Sequence, residues 1–322
     1  PAGNVGDKLE AGTVARIFTG APMPEDADTV IPQELVEREG DFAIFRTALK
    51  PGAWVRRRGS DVEQGATVLA SGERLTPARI GMIASIGRAY VKVYRRLRVG
   101  IFFSGNELVQ PGEPLPPGGI YNSNRFMVRS LLQTLGCEVV DLGNVPDTLD
   151  ATIAAFEKAT QASDVILSTG GMSVGEEDHI KNAVEALGEI SLWRVKLKPG
   201  KPLAFGSVKG VPFVGCPGNP VAGFVVFLMM ARPFLLRRMG LTDTEIHPLS
   251  VRADFDWETP GDRQEFVRVR RNATGGVDLY HTQNSQVLSS CAWADGLVDI
   301  PVGATVKKGD VVDYYPFCQF FA

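Results

Sequence analysis

The sequence is poor in the residue types that build disulfide scaffolds and metal centres. It has only 4 cysteines and 3 histidines in 322 residues, and no two cysteines form a C-x-x-C pair. The four thiols, Cys137, Cys216, Cys291 and Cys318, are too widely spaced for a secreted disulfide framework. So few histidines and scattered cysteines do not favour a His/Cys metal site. We therefore expect reduced thiols in a cytoplasmic protein.

Other absences narrow the function classes further. The sequence contains no G-x-x-x-x-G-K-[ST] phosphate loop, no G-x-G-x-x-G after a first strand and no H-E-x-x-H. Its longest apolar run, Val221 to Ala231, is too short to span a bilayer. Lys and Arg total 34 against 37 acids, so the net charge of −3 gives no indication of nucleic-acid binding. We expect neither a membrane nor a nucleic-acid partner, and any anion site must be local.

The first ninety residues carry mostly strand and turn signals. Thr13–Thr19 and Asp41–Arg46 alternate apolar and polar residues, which predicts two half-buried strands. Leu75–Gly87 spaces its apolar residues at helical intervals, with Thr76 as N-cap and Pro77 at the first helical position. The sequence shows no internal repeats.

From Arg98 onward, short apolar runs alternate with amphipathic helical patterns. The strands predicted here are Val99–Phe103, Cys137–Leu142, Asp164–Ser168 and Leu192–Leu197, and the predicted helices are Asn124–Leu135, Ala151–Ala159, Asp178–Leu187 and Pro220–Met239. This alternation is typical of a parallel sheet that is covered by helices on both faces. After His247 the pattern returns to short strands at 266–270, 277–280 and 311–315, which predicts a small β-barrel or sandwich. The predicted fold is therefore a multidomain α/β protein, with a β-rich N-terminal part and a small C-terminal β module.

Four loops of the predicted α/β domain have the composition of a ligand site. They are Ser104–Leu108, Ser168–Asp178, Lys198–Pro202 and Gly215–Pro220. Because ligands bind at the carboxyl ends of parallel strands, we expect these loops to meet at one edge. Glycines at such junctions let backbone N–H groups approach an anion, although each glycine could also serve only a tight turn.

Two sets of charged side chains in or beside these loops indicate an oxyanion site and a metal site. Lys198 and Lys201 flank a Pro-Gly pair that restricts both ammonium groups, which suits phosphate or another tetrahedral oxyanion. The alternative is that both are solvated surface lysines. Glu107, Asp147 and Asp178 could together hold Mg²⁺ beside substrate phosphate oxygens. Asp178 could instead cap a helix, and Asp147 could be only a turn residue.

Read in order, these loops resemble one family, the molybdopterin molybdenumtransferases, which carry out the last step of molybdenum cofactor synthesis; the E domain of gephyrin is similar. The resembling stretches are ARIFTGAPMPEDADTVIPQE (15–34), RRGSDV (57–62), FSGNEL (103–108), IYNSNRFM (120–127), STGGMSVGEEDH (168–179), KLKPGKPLAFG (196–206) and GCPGNPVAGF (215–224). They cover essentially the whole chain. The combination of TGAPMP, GSD, TGGMSVGEED and KPGKP is specific to the family.

The resemblance implies a reaction in which adenylylated molybdopterin and molybdate bind and Mg²⁺ assists cleavage of the phosphoanhydride. Molybdenum then enters the dithiolene and AMP leaves. The acidic positions implied in catalysis are Asp61, Glu107, Asp147 and Asp178, with Glu107 and Asp178 at the metal. The positions implied at molybdate are Lys198, Lys201, Arg268 and Ser285. The positions implied in substrate binding are Thr19, Ser104, Gly170, Gly171, Ser173, Gly175, Pro217, Gly218 and Asn219.

The resemblance also implies an organisation for the molecule. It divides the chain into a β-rich domain at 1–64, the remaining half of an elongated domain at 65–90, the α/β domain at 91–246 and a β-barrel at 247–322. It implies a homodimer and an association with the molybdopterin adenylyltransferase. The family pattern also has an N-terminal segment with an MDGYA-like stretch, which supplies an acidic site residue and part of the dimer contact and which this sequence lacks. Arg194 stands where many members have lysine.

Two other functions are compatible with the fold or with part of these motifs. A scaffold of the same fold, like the gephyrin E domain at receptor clusters, would bind a partner protein and would not need Glu107, Asp178, Lys198 and Lys201 together. The sister molybdopterin adenylyltransferases share the glycine-rich loops and would bind a nucleoside triphosphate, but they lack the TGAPMP region and the C-terminal β module.

Overall fold

A computed structural model describes residues 1–171 and 179–321, which divide into two units, Pro1–Ala70 and Ser71–Ala322. The first unit contains an antiparallel hairpin of β1 (Glu37–Glu39) and β2 (Phe42–Ile44), after a 3₁₀ turn at Gln33–Leu35. The strand expected over Thr13–Thr19 is wrong, because this segment is exposed at nearly every residue and pairs with no strand among the described residues.

The second unit begins with a helix whose ends follow from its sequence. Helix α1 (Pro77–Ser85) starts as expected, since the Thr76 side chain accepts a hydrogen bond from the Arg79 N–H at 3.4 Å and Pro77 takes the first helical position.

A six-stranded sheet forms the centre of the second unit. The strands between residues 98 and 216 are β3 (Arg98–Ser104), β4 (Leu108–Val109), β5 (Ile120–Tyr121), β6 (Glu138–Val145), β7 (Val165–Thr169), β8 (Gly188–Arg194), β9 (Leu197–Lys198), β10 (Pro202–Val208) and β11 (Val211–Cys216). The strand order is β6-β3-β7-β11-β10-β8, and the first four strands are parallel to one another. β10 is antiparallel to both of its neighbours, so the sheet is mixed at this side. The strand expected over Leu192–Leu197 is divided between β8 and β9.

Helices cover both faces of this sheet, as the alternating pattern predicts. They are α2 (Ser123–Thr134), α3 (Leu149–Ala162), α4 (His179–Leu187), α5 (Pro220–Val226) and α6 (Arg232–Arg238). One buried cluster packs α2, α5 and α6 against residues such as Ile101 and Leu167, and the other packs α3 and α4 against Phe102 and Ile166. Neighbouring residues of a strand face opposite sides, so both faces of the sheet are apolar.

The helix predicted over Pro220–Met239 is continuous but not uniform. A π-helical turn at Phe227–Ala231 joins α5 to α6 just before Pro233, which has no N–H to donate. By length and composition alone the Pro220–Arg238 helix could cross a membrane, but 67% of its most apolar window is buried inside the protein. Packing in the core therefore accounts for its apolar residues.

The C-terminal part of the second unit is a closed β-barrel. Its elements are β12 (Leu249–Ala253), β13 (Gln264–Arg271), β14 (Gly276–Leu279), α7 (Ser289–Trp293), β15 (Gly296–Ile300), β16 (Val311–Pro316) and α8 (Phe317–Phe321). The order β14-β12-β16-β15-β13 closes because β13 also pairs with β14. β9 adds to the barrel as a further strand beside β13. The fold matches the class expected from the sequence, and the C-terminal module is a barrel and not a sandwich.

Candidate functional site

The strand ends bring the four candidate loops to one edge of the central sheet. Val145 is opposite Ser104, and Thr169 lies between Phe103 and Cys216 in the register, so β6, β3, β7 and β11 all end there. β10 begins at this edge, because it runs in the opposite direction to β11. The Lys198–Pro202 loop therefore lies in the same row as the other three loops.

Asp147 is held firmly at the β6 end of this row. Its carboxylate accepts hydrogen bonds from the Ser104 hydroxyl and from the Asn106 N–H, the latter at 3.1 Å. The Asn106 side chain in turn accepts from the Asp147 N–H at 3.1 Å. These contacts join the loops after β3 and β6, so Asp147 is more than an isolated turn residue.

The glycines of the neighbouring loops permit close backbone contact. A Cβ on Gly170 would lie 2.3 Å from the Ser104 carbonyl oxygen, and one on Gly218 would lie 3.4 Å from Gly170 Cα. Gly170 and Gly171 also have positive φ angles of 89° and 60°. The loops after β3, β7 and β11 are thus packed backbone against backbone, which bulkier residues would prevent.

One side chain that the sequence analysis did not single out connects three of these elements. Asn124, at the start of α2, donates its amide to the Gly218 carbonyl at 2.7 Å and to the Thr169 hydroxyl at 3.3 Å. Its Oδ1 is buried without a hydrogen-bond partner in the described part of the chain. The sequence signal that could have identified Asn124 is the IYNSNRFM stretch, which resembles the family motif.

Of the two carboxylates expected at the metal, Glu107 is among the described residues and Asp178 is not. Glu107 is exposed, and its side chain folds over Gly105, where a Cβ would lie 2.7 Å from Glu107 Oε2. Asp178, Ser173 and Gly175 lie outside the described residues. Within residues 1–171 and 179–321, no three His, Cys, Asp or Glu side chains are grouped closely enough to hold a metal ion. The three-carboxylate arrangement therefore stays a prediction.

Lys201 lies in a cationic cleft at the far end of the row. The cleft has a volume of about 450 Å³ and is lined by Arg194, Val195, Lys196, Lys201, Asp262 and Arg263. The carboxylate of Asp262 is 3.6 Å from Arg263 Nε and its side chain is 94% exposed. Four cationic side chains therefore face one acidic side chain, which makes this cleft suitable for an anion. Its position at β8 and β10 follows from the pairing of Arg194 with Pro202.

Lys198, by contrast, has an acidic partner. Its ammonium group is 3.0 Å from Glu265 Oε2, and the Glu265 side chain is only 6% exposed. The contact joins the Lys198–Pro202 loop to barrel strand β13, where Glu265 is opposite Lys198 in the β9–β13 register. Glu265 carries no signal in the sequence, because its partner Lys198 is distant in the chain.

Arg268 lies on barrel strand β13, and Ser285 lies in the loop between β14 and α7. Arg268 is fully buried and donates from Nε to the Ser290 hydroxyl at 3.1 Å and from Nη2 to the Asn284 carbonyl at 3.3 Å. Burial lowers the pKa of its guanidinium. Arg268 thus supports the loop that carries Ser285. The Ser285 hydroxyl accepts a hydrogen bond at 3.2 Å from Asn219, which follows the buried Pro217 in the β11–α5 loop.

The remaining predicted residues lie in the first unit. Thr19 and Asp61 are both exposed there.

The three buried cysteines take no part in the row of loops as thiolates. All four are free, and burial raises the pKa of Cys137 to about 11, of Cys216 to about 12 and of Cys291 to about 11. These three thiols are therefore protonated at neutral pH and weakly reactive.

The dimensions of the row limit what can bind along it. The loop carrying Glu107 follows β3, the loop carrying Lys201 precedes β10, and the two strands are three places apart in the sheet. At a strand spacing of about 4.8 Å, this separation is roughly 14 Å. An ion cannot contact both ends, but an elongated ligand with separate anionic groups can.

Comparison with known proteins gives consistent matches over the whole chain. Three family models match: "MoeA N-terminal region (domain I and II)" at residues 1–87, "Probable molybdopterin binding domain" at 100–237 and "MoeA C-terminal region (domain IV)" at 250–317. The chain is 44% identical over 312 residues to a molybdopterin molybdenumtransferase of Haemophilus influenzae, covering 95% of this chain and 77% of the relative. It is 35% identical to molybdopterin molybdenumtransferase 2 of Mycobacterium tuberculosis, over 91% of this chain and 74% of that protein.

Solved structures give the same result. The crystal structure of the molybdopterin biosynthesis MoeA protein of Pyrococcus horikoshii aligns with a TM-score of 0.77 at 32% identity, covering 98% of this chain and 78% of that chain.

Proposed function

The chain belongs to the molybdopterin molybdenumtransferase family, enzymes of molybdenum cofactor biosynthesis, and we propose that it inserts molybdate into adenylylated molybdopterin with release of AMP. The observation that supports this reaction most strongly is the row of loops. It has carboxylates at the β3 and β6 end and a cationic cleft at the β8 and β10 end. An elongated substrate with a phosphoanhydride near one end and its acceptor group near the other would fit that distribution of charge.

At the carboxylate end, Glu107 and Asp147 supply the oxygen donors that Mg²⁺ prefers, so the residues present fit the ion. With Asp178 they would hold it beside the phosphoanhydride, where the ion would polarise the bond and neutralise charge on the departing phosphate. The hydrogen bonds from Ser104 and Asn106 orient the Asp147 carboxylate before any ligand arrives. Asp61 is assigned to the same chemistry by the resemblance alone.

At the cationic end, Lys201 and Lys198 would bind molybdate, which is a tetrahedral dianion. Lys201 faces the cleft directly, whereas Lys198 shares its charge with Glu265. Ser285 would contribute a hydroxyl group, and Arg268 would act through its hydrogen bond to the loop that carries Ser285. Thr19 is assigned to substrate binding by the resemblance alone.

Between the two ends, backbone groups of the glycine-rich loops would contact the substrate. The residues proposed for this role are Ser104, Gly170, Gly171, Ser173, Gly175, Pro217, Gly218 and Asn219. The close backbone packing among Ser104, Gly170 and Gly218 supports the proposal, because it leaves this part of the edge without bulky side chains.

A homodimer in the cytoplasm is part of the same proposal. Large apolar side chains are exposed on α1 and the segment after it, including Ile80 at 53%, Tyr90 at 93% and Tyr94 at 66%, and such a surface suits burial against a second copy. The free cysteines suit a reducing compartment. Association with the molybdopterin adenylyltransferase and the domain boundaries at 64, 90 and 246 stay predictions.

The proposed function is tested by the molybdate dependence of AMP release from adenylylated molybdopterin in Mg²⁺. We expect Lys201→Ala to raise the molybdate KM at least tenfold, because it removes a cation from the cleft. Lys158→Ala, on the exposed surface of α3, is the matched control and should behave like wild type. An unchanged molybdate KM in Lys201→Ala would refute the oxyanion assignment. Adenylylation from ATP would indicate the sister reaction, and partner binding without turnover would indicate a scaffold.

A further inference from the structure

The ion pair between Lys198 and Glu265 is unusual in its burial. The Lys198 side chain is 45% exposed, whereas the Glu265 side chain is 6% exposed at an N–O distance of 3.0 Å. A buried carboxylate keeps its charge only beside a counter-ion, so Lys198 compensates Glu265 as much as Glu265 positions Lys198.

The two oxygens of the Glu265 carboxylate have different close neighbours. A Cβ on Gly261 would lie 2.3 Å from Glu265 Oε1, so the backbone of Gly261 packs directly against the second oxygen. In the described part of the chain, the Lys198 ammonium is the cation paired with this carboxylate. The carboxylate therefore lies between the backbone of Gly261 and the Lys198 ammonium group.

The pair lies next to the cationic cleft. Arg263 lines the cleft and also donates to the carbonyl of Leu197, the residue immediately before Lys198. The negative charge of Glu265 therefore acts on the same region as the positive charges of Arg194, Lys196 and Lys201. An anion in the cleft experiences the sum of these charges.

We propose that Glu265 is a positioning residue that offsets the charge of Lys198 and thereby weakens the hold of the cleft on its oxyanion. The inference rests on the proposed function in that it takes the cleft as the molybdate site. Tight binding of the oxyanion in the ground state does not speed its transfer, because only interactions that strengthen in the transition state raise the rate. Glu265 would keep molybdate bound loosely enough to leave the lysines.

If Glu265 weakens anion binding through its charge, its removal should affect anions according to their own charge, which a purely structural ion pair would not do. Removal of one negative charge stabilises a bound anion in proportion to the charge on that anion. Molybdate and perrhenate are tetrahedral oxyanions of similar size, but molybdate carries two negative charges and perrhenate one. The logarithm of the affinity gain should therefore be twice as large for molybdate.

The experiment compares calorimetric binding of molybdate and of perrhenate by the full chain and by Glu265→Gln. We expect Glu265→Gln to bind molybdate about tenfold more tightly and perrhenate about threefold more tightly. In turnover, the molybdate KM and kcat should fall together, since the ground state gains stability. Glu265→Asp keeps the charge and should bind both anions within about twofold of wild type. Glu258→Gln, exposed before β13, is the matched control.

Glu265→Met is a second neutral variant, which leaves no buried amide to satisfy, and it must show the same gains if Glu265→Gln does not fold. Unchanged or weakened molybdate binding in the folded neutral variants would overturn the inference, as would an equal gain for both anions. If wild type binds no molybdate, or if Lys201→Ala binds it like wild type, the proposed function fails first and the inference fails with it. The two failures are therefore distinguishable.

Discussion

Individual side chains of the row differ in how firmly the protein holds them. Asp147 and Lys198 have fixed partners on distant segments, and Arg268 is buried among hydrogen-bond acceptors. Glu107 and Lys201, by contrast, are exposed. The held residues set the geometry of the row, and the exposed ones are available to a ligand.

Asp147 allows the charge of the site to be tested separately from its structure. In Asp147→Asn, the side-chain oxygen can still accept from Ser104 or Asn106, but the negative charge is lost. We expect Mg²⁺-dependent AMP release to fall at least tenfold, with an unfolding free energy within about 1.5 kcal/mol of wild type. Asp150→Asn, on the exposed first turn of α3, is the control and should release AMP normally. Full activity in Asp147→Asn would exclude Asp147 from the metal site.

Arg268 is expected to act through the barrel. Arg268→Ala removes hydrogen bonds to Ser290 and to the Asn284 carbonyl and leaves a cavity, so unfolding in urea should require about 2–4 kcal/mol less free energy. Hydrogen exchange in residues 281–288 should also increase. If molybdate affinity is lost while stability and exchange stay unchanged, Arg268 contacts the oxyanion directly.

The residue types of the site could be read from the sequence, but their partners could not. The loops near Ser104 and Lys198 stand out by composition and by their place after predicted strands. Glu265 and Asn124 do not, because each acts on a residue far away in the chain; Asn124 and Gly218 are 94 positions apart. Only the fold brings such pairs together.

Among the elements, the loop after β7 depends on glycine for two separate reasons. In this loop, Gly170 has a φ of 89° and closely contacts Ser104. Gly136, which follows α2, has a similar φ of 85° but open space around it, so it serves as the comparison. Gly136→Ala should therefore cost about 1–2 kcal/mol of unfolding free energy, from backbone strain alone. Gly170→Ala should cost about 3–5 kcal/mol and should also reduce AMP release, because the loops must separate. Equal losses of stability in a urea titration would show that the loops are not tightly packed.

The segment before β3 is fixed by a carboxylate that responds to acid. Arg95 and Arg98 hydrogen-bond to Asp164 and hold the pKa of its carboxyl well below its usual range. A depressed pKa in the folded state stabilises the protein above the unfolded pKa of about 3.9, and this stabilisation is lost as the pH falls toward the folded value. Asp164→Asn should thus be less stable than wild type at pH 7, and the difference should shrink below about pH 4. A difference that is constant with pH in thermal melts would contradict this assignment.

The elements that periodicity predicts best are those buried on both sides. β3 and β7 are continuous apolar runs and lie within one residue of their expected bounds. The sequence does not predict the β10–β11 hairpin, because its two-residue turn is Lys209-Gly210, and Lys209 has a positive φ of 48° that its residue type does not suggest. Thr13–Thr19 alternates apolar and polar residues as a strand does, but a strand also needs a neighbouring strand with which to form hydrogen bonds.

For the whole molecule, local patterns predicted the fold class but not its closure. The barrel closes through the pairing of β13 with β14, and β9 joins it from the α/β domain. β9 has only two residues, too few for any periodicity to be detected. The connection between the two domains, which holds Lys198 against Glu265, therefore had to be seen in the structure.

One measurement tests most directly whether this chain transfers molybdenum to adenylylated molybdopterin. AMP release by the purified chain in Mg²⁺ is followed with and without molybdate, with the mass in solution determined by light scattering. We expect release that depends on molybdate, from a dimer. Release at the same rate without molybdate, or no release from a folded dimer, would contradict the claim.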